Sequence, residues 1–292
     1  MSFTIVTDSA ANLPRSVLRE HNITSIPFVA YFNGEEFVYE DPESFDDVSY
    51  YTAIRDGATF SSSQINPDRY IEYFTPILEA GKDVLFVGVS SGVSGSFNSA
   101  RIAMEELLEK FPERTIRLVD SLSAALGEGL IVLQAVLCRA RGLTLENTAR
   151  HLEEIRTRVY HLLSVDDMAH LGRSGRIPSI IGTLGSALNI KPLLKGSDEG
   201  KIVLSGKARG RKKLLQAMAD KYAQLVHNAH ENIVGISHAG CPDDANTLAE
   251  LIREKAEPKE LILTKHEPAT GGHIGPGALA IFFFGAEGVR KQ

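Results

Sequence analysis

Residues 83–111, DVLFVGVSSGVSGSFNSARIAMEELLEKF, constrain the fold more than any other stretch of the chain. They open as an unbroken apolar run, VLFVGV, with no polar face to offer water, so the run reads as a strand covered on both sides. They close as an amphipathic helix from about Ser96 to Phe111. A doubly covered strand that feeds a helix belongs in a parallel sheet, because parallel strands need a crossover to return.

The alternation recurs. FTIVTD at 3–8, SIPFVAYF at 25–32 and TIRLVDS at 115–121 read as strands. NPDRYIEYFTPILEAG at 66–81 has helical spacing, with Asn66 as N-cap and Pro67 at the first helical position. Two helices, roughly 125–141 and 144–159, are separated by the stop signal Gly142.

The second half reads differently. HLLSVDDMAHL is a strand followed by a helical turn, and IPSIIGTLGSALNI is mixed. KPLLKGSDEGKIVLSGKARG is a β-hairpin around the turn SDEG. A helix over 211–229, strand NIVGISHA, helix DDANTLAELIREKA and strands ELILTKH and ALAIFFFG complete the chain. The expected architecture is α/β. A Rossmann-like domain with a parallel sheet spans residues 1–160, and a smaller α+β domain spans 161–292. No flexible linker marks the boundary in RTRVYHLL, so the two share a broad interface, a common place for a ligand.

Composition narrows the function. A net charge of −6 argues against a nucleic-acid partner, which needs a broad basic face. Cys138 and Cys241 stand far apart in no ligand-like spacing and are expected to be plain small thiols, as in a reducing cytosol. The nine histidines show no metal-binding spacing, so no metal and no cofactor are expected. MSFTIVTDSA enters a strand directly, without the basic and apolar regions of a signal peptide. The longest apolar stretches, LIVLQAVL and ALAIFFF, fall well short of the roughly 18 residues of a membrane span. A cytoplasmic protein is expected.

Polar loops sit where a doubly wound sheet presents them, at the carboxyl ends of its strands. They are TDSAANLP with Asp8 and Ser9, SSGVSGSF at 90–97, and VDSLSAALGEG with Asp120 and Ser121. FSSSQINP adds Ser61, Ser62, Ser63 and Gln64 before a helix. Asp8 and Asp120 have a plain explanation as turn and cap formers, and the serines of FSSSQ as loop residues. For SSGVSGS the alternative to a tight turn is an anion cradle. There hydroxyls donate, glycines admit a ligand to the backbone, and a helix N-terminus adds N–H groups. A phosphate and a carboxylate suit it equally. The loop lacks the Gly-Lys-Ser/Thr of a P-loop, the GxGxxG of a dinucleotide fold and the GxSxG of a nucleophile elbow. His273, within GGHIGPG, is either structural or a ligand contact. Two basic clusters, Arg173 with Arg176 and the run Lys207, Arg209, Arg211, Lys212, Lys213, are either solvated or the footprint of an anionic partner.

Eight segments together make the chain similar to the DegV family, which includes the fatty-acid-binding subunits of bacterial fatty acid kinases. They are TDSAANLP at 7–14, SSSQINP at 61–67, SSGVSGSFNSA at 90–100 and VDS at 119–121. Beyond them come GRSGRI at 172–177, LNIKPLL at 188–194, GKARGRKK at 206–213 and GGHIGPGALA at 271–280. The resemblance implies the EDD fold, in which a fatty acid lies in an apolar tunnel between the two domains. It implies that the carboxylate is held by Ser62, Ser63, Ser94, Gly95 and His273. It implies that the protein makes no covalent bond itself and presents the acid to a separate ATP-dependent kinase, which forms the acyl phosphate for phospholipid metabolism. Arg173, Arg176, Lys207 and Arg209 are then the docking surface, with Arg209 at its centre. This chain departs from the family pattern at several positions. Ser62 and Ser96 stand where Thr is commoner, and Phe97 replaces Tyr. Val93 replaces Leu, Ser174 a Gly, and Ile274 a Thr.

Two other readings exist. One is a serine-dependent acyl hydrolase or phosphotransferase using Ser94 and His273, with Asp8 or Asp120 as a third member. No nucleotide motif supports the transferase. The other is a regulatory ligand sensor, which differs from the carrier only in what happens downstream.

Overall fold

The computed structural model describes residues 3–39, 45–177 and 189–292. The first half contains β1 (Phe3–Asp8), α1 (Arg15–Glu20), β2 (Ile23–Ile26), β3 (Val29–Phe32), β4 (Glu35–Val38), α2 (Asp47–Arg55) and β5 (Phe60–Ser63). It continues with α3 (Pro67–Glu79), β6 (Asp83–Gly88), α4 (Ser96–Lys110), β7 (Ile116–Asp120), α5 (Leu126–Ala140) and α6 (Leu145–Ile155). The second half contains β8 (Val159–Ser164), α7 (Met168–Arg173), β9 (Ile190–Gly196), β10 (Ile202–Arg209), α8 (Arg211–Leu225) and β11 (Ile233–His238). It ends with α9 (Pro242–Lys255), β12 (Glu260–Lys265), α10 (Pro268–Ile274) and β13 (Leu279–Phe284).

The expected parallel sheet has the order β2-β1-β6-β7, and every pairing in it is parallel. β6 is buried at all six positions, as its unbroken apolar run requires. A mixed sheet of order β10-β9-β8-β13-β11-β12 forms from the second half, with only β11 and β12 parallel. α5 lies between the two sheets, touching β1 and β6 of one and β8, β11 and β13 of the other. Its sequence, LGEGLIVLQAVLCRA, is apolar nearly all round, which is what a helix with protein on every side needs. One core cluster runs through it, from Ile5, Leu85 and Val119 to Leu163, Ala280 and Phe282.

Four expectations change. SIPFVAYF is two strands. Pro27 lies between β2, in the parallel sheet, and β3, in a separate antiparallel sheet of order β4-β3-β5. FSSSQ is not a loop, because Phe60–Ser63 is the edge strand β5, paired with β3. The helix expected over 144–159 ends at Ile155, and a 3₁₀ turn leads into β8. The helix from Arg211 ends at Leu225 rather than 229. Most of IPSIIGTLGSALNI, and Leu188 of LNIKPLL, lie outside the described residues. Both cysteines are free thiols, Cys138 buried and Cys241 partly so. Among the described residues no helix is long and apolar enough to cross a membrane.

Candidate functional site

The loop after β6 uses most of its hydroxyls to fasten itself to neighbouring elements. Ser90 Oγ donates to the Gly200 carbonyl (2.8 Å) and accepts from Gly92 N, which tethers the loop to the β9–β10 turn. Gly92 has no room for a side chain, since a Cβ there would lie 2.7 Å from the Glu199 carbonyl oxygen. Ser96 Oγ accepts from Ile65 N, and Ser99 Oγ from Gln64 Nε2. These bonds explain why a buried strand ends in so many small polar residues: they tie the loop to the β9–β10 turn and stitch the start of α4 to the end of β5. Ser94 remains. It accepts from Ser96 N (3.2 Å), stands 2.9 Å from Ser96 Oγ, and faces a cavity.

That cavity, about 620 Å³, lies where the parallel sheet, β5, α7, α10 and the β9–β10 hairpin converge. The polar residues Ser62, Ser63, Gln64, Ser94 and His273 line it, as does Gly95. Phe28, Val89, Val93, Leu171, Ile202 and Ile274 supply apolar wall. A volume in the range of ordinary ligand sites, mostly apolar and with a few convergent polar groups, is the usual form of a binding cavity. A larger cleft of about 980 Å³ runs along the open edge of β2 past Arg15, Arg19 and Lys82. It is mainly polar and contains none of Ser62, Ser94 and His273, so the smaller cavity is the better candidate.

His273 sits on α10, a helix of seven residues. Its Nε2 lies 2.7 Å from Ser62 Oγ, and Phe60 packs edge-on against its ring. Burial, then the neighbouring Arg176 and His170, push its pKa down to about 3, so the imidazole is neutral at physiological pH. Its partner is therefore Ser62. The Ser94–His273 pair of the hydrolase reading is not brought into hydrogen-bond contact, and among the described residues no carboxylate bonds to His273. Arg176, grouped with the docking residues on the sequence, lines the cavity beside Ser174, while Arg173, Lys207 and Arg209 are exposed.

Asp8 and Asp120 take the plain roles. Asp8 caps a 3₁₀ turn through Ala10 N and accepts from Val89 N. Burial raises its pKa to about 7. Asp120 accepts from Ser91 N and Leu122 N. Glu267, Asn12 and His170 carry site geometry that the sequence did not reveal. The Glu267 carboxylate caps α10 through Ala269 N and Thr270 N, and Asn12 Oδ1 accepts from Glu267 N. The first motif, TDSAANLP, thereby supports the last, GGHIGPG.

Comparison with known proteins agrees with this architecture. The family model described as an uncharacterised protein of the DegV family matches residues 2–286. A DegV domain-containing protein of Clostridium perfringens strain 13 is 36% identical over 283 residues, 97% of each chain. A DegV family protein from Thermus thermophilus, described for its fatty acid binding, superposes with a TM-score of 0.86. It is 26% identical and covers 98% of this chain and 100% of its own. DegV from Bacillus subtilis, described as a fatty acid binding protein, gives a TM-score of 0.82 at 28% identity, with the same coverage. A DegV family structure from Ruminococcus gnavus, described with vaccenic acid, gives 0.87 at 25% identity, covering 97% and 99%.

Proposed function

The chain belongs to the DegV family, and on that premise we propose that it binds a long-chain fatty acid in the 620 Å³ cavity, with the carboxylate at Ser62, Ser63, Ser94, Gly95 and His273. The observation that carries the reading is the Ser62–His273 contact at the polar end of a mostly apolar cavity. A neutral imidazole with its proton on Nε2 donates to Ser62 Oγ, which frees the serine hydroxyl to donate to a carboxylate. The Ser94 hydroxyl, at the N-terminus of α4, supplies a second donor beside the helix's positive end. Arg176 brings a positive charge to the same cavity, so the bound carboxylate is not left uncompensated.

The acyl tail provides most of the affinity. At about 0.8 kcal/mol per buried CH₂, a sixteen-carbon chain contributes on the order of 10 kcal/mol before ordering costs. The polar end fixes orientation. The protein acts as a cytoplasmic carrier, without cofactor or covalent step of its own. It hands the carboxylate to a fatty acid kinase that docks on Arg173, Lys207 and Arg209. Mass spectrometry of small molecules released by denaturing the purified protein tests the reading. A stoichiometric C14–C18 fatty acid is expected. A protein that is empty, and stays empty when offered such acids, would overturn it.

A further inference from the structure

α10 is a poor helix by composition. Two of its seven residues are Gly271 and Gly272, and glycine is among the weakest helix formers. Both are sterically required. A Cβ at 271 would meet Tyr51 Oη, and one at 272 would lie 2.4 Å from the Phe60 ring. A helix this short and this unfavourable takes its position from what is fastened to it. Glu267 fastens the N-terminal end. At the other end the last carbonyls lack intrahelical partners. Gly271 O accepts from Gly275 N, and the Gly272 carbonyl accepts from His170 Nε2 at 2.7 Å. A carbonyl only accepts, so that nitrogen carries a proton. The imidazole also packs close against the helix end: a Cβ on Gly275, which has φ +86°, would be 2.7 Å from His170 Cδ2.

Phe60 packing and the His170 bond thus meet the helix at the same residue, Gly272, one residue from His273. We infer that His170 is a positioning residue of the head-group site, which sets the pitch of α10 through the Gly272 carbonyl and so delivers His273 to Ser62. For its consequence in lipid binding the inference rests on the fatty-acid reading, but its geometry does not. A 2.7 Å contact is lost by a displacement of 1 Å. α7, which carries His170, continues into Ser174, Gly175 and Arg176 of the cavity wall, so one segment orients both the histidine and the arginine of the polar end.

The first readout needs no ligand. In the ¹⁵N spectrum of the wild-type protein, His170 is expected to be protonated on Nε2, and His170→Phe is expected to move the imidazole signals of His273. A His170 ring with bare Nε2, or His273 signals unmoved by the substitution, overturns the inference even if the protein proves to bind something else. The second readout is a double-mutant cycle. Loss of one hydrogen bond predicts about tenfold weaker fatty-acid binding for His170→Phe, with His170→Gln recovering most of it because an amide still donates. Combined with Ser62→Ala, the loss is expected to be smaller than the product of the two, since both act through His273. Independent, multiplicative losses would mean that His170 merely packs. Wild type that binds no fatty acid would refute the carrier reading and leave the spectroscopic test standing.

Discussion

Replacing Ser62 by alanine removes one oxygen with two jobs. It leaves the half-buried His273 Nε2 without its 2.7 Å partner, and it deletes a donor to the carboxylate. The first effect appears in the empty protein. Losing one hydrogen bond at a half-buried site costs about 0.5–1.5 kcal/mol. Unfolding entropy near 60 °C is about 2.1 cal/mol/K per residue, on the order of 600 cal/mol/K for 292 residues, so Tm falls by about 1–2 °C. The second effect appears only with ligand. A hydrogen bond to a charged group contributes about 1.5–3 kcal/mol, which is roughly 10- to 100-fold in Kd. The tail's larger contribution survives, so binding weakens without being lost. Thermal unfolding with and without a C16 acid, together with titration of delipidated protein, separates the two. A variant with wild-type Tm and wild-type affinity would refute both the neutral relay from His273 and the place assigned to the carboxylate.

Other outcomes follow from the same geometry. Ser94→Ala is expected to keep the fold and weaken fatty-acid retention or phosphorylation; wild-type values in both assays would remove the loop from the site. Arg209→Glu should spare lipid binding and impair acyl-phosphate formation by the kinase, whereas equal loss of both would point to misfolding. Arg290, almost fully buried, donates to the carbonyls of Leu122, Arg156, Val159 and Ser197. Arg290→Met strands them and should cost more than about 3 kcal/mol in denaturant unfolding; a cost under 1 kcal/mol would show the network to be dispensable. Burial holds the Asp8 pKa at about 7, above the 3.8 of the free side chain. Its stabilisation is therefore full below about pH 4 and is lost as pH rises to 7, on the order of 4 kcal/mol. Denaturant midpoints of wild type should fall relative to Asp8→Asn across that window, and a wild type that gains on the variant would contradict the buried, proton-holding carboxyl.

Much of the architecture was legible because local chemistry decides it. VLFVGV had to be a doubly covered strand, and Asn66–Pro67 had to open a helix. Asn66 does accept from Arg69 N as the cap. The motif loops were legible as a set, since strands of a parallel sheet deliver their carboxyl ends to one side. Strand β5 was hidden because three serines carry no apolar alternation. α10 was hidden because its two glycines are there for Tyr51 and Phe60, which lie far away in the chain.

The sequence by itself determined the parallel sheet, the helix α5 and the serine-rich loop, because burial periodicity, caps and turns act over a few residues. It also carried the family likeness. Only the tertiary structure decided which hydroxyl meets which histidine. Ser62 and His273 are 211 positions apart, and no local preference sets a contact across such a span. It depends on β5 pairing with β3, on Glu267 and His170 fastening α10, and on Phe60 filling the space between.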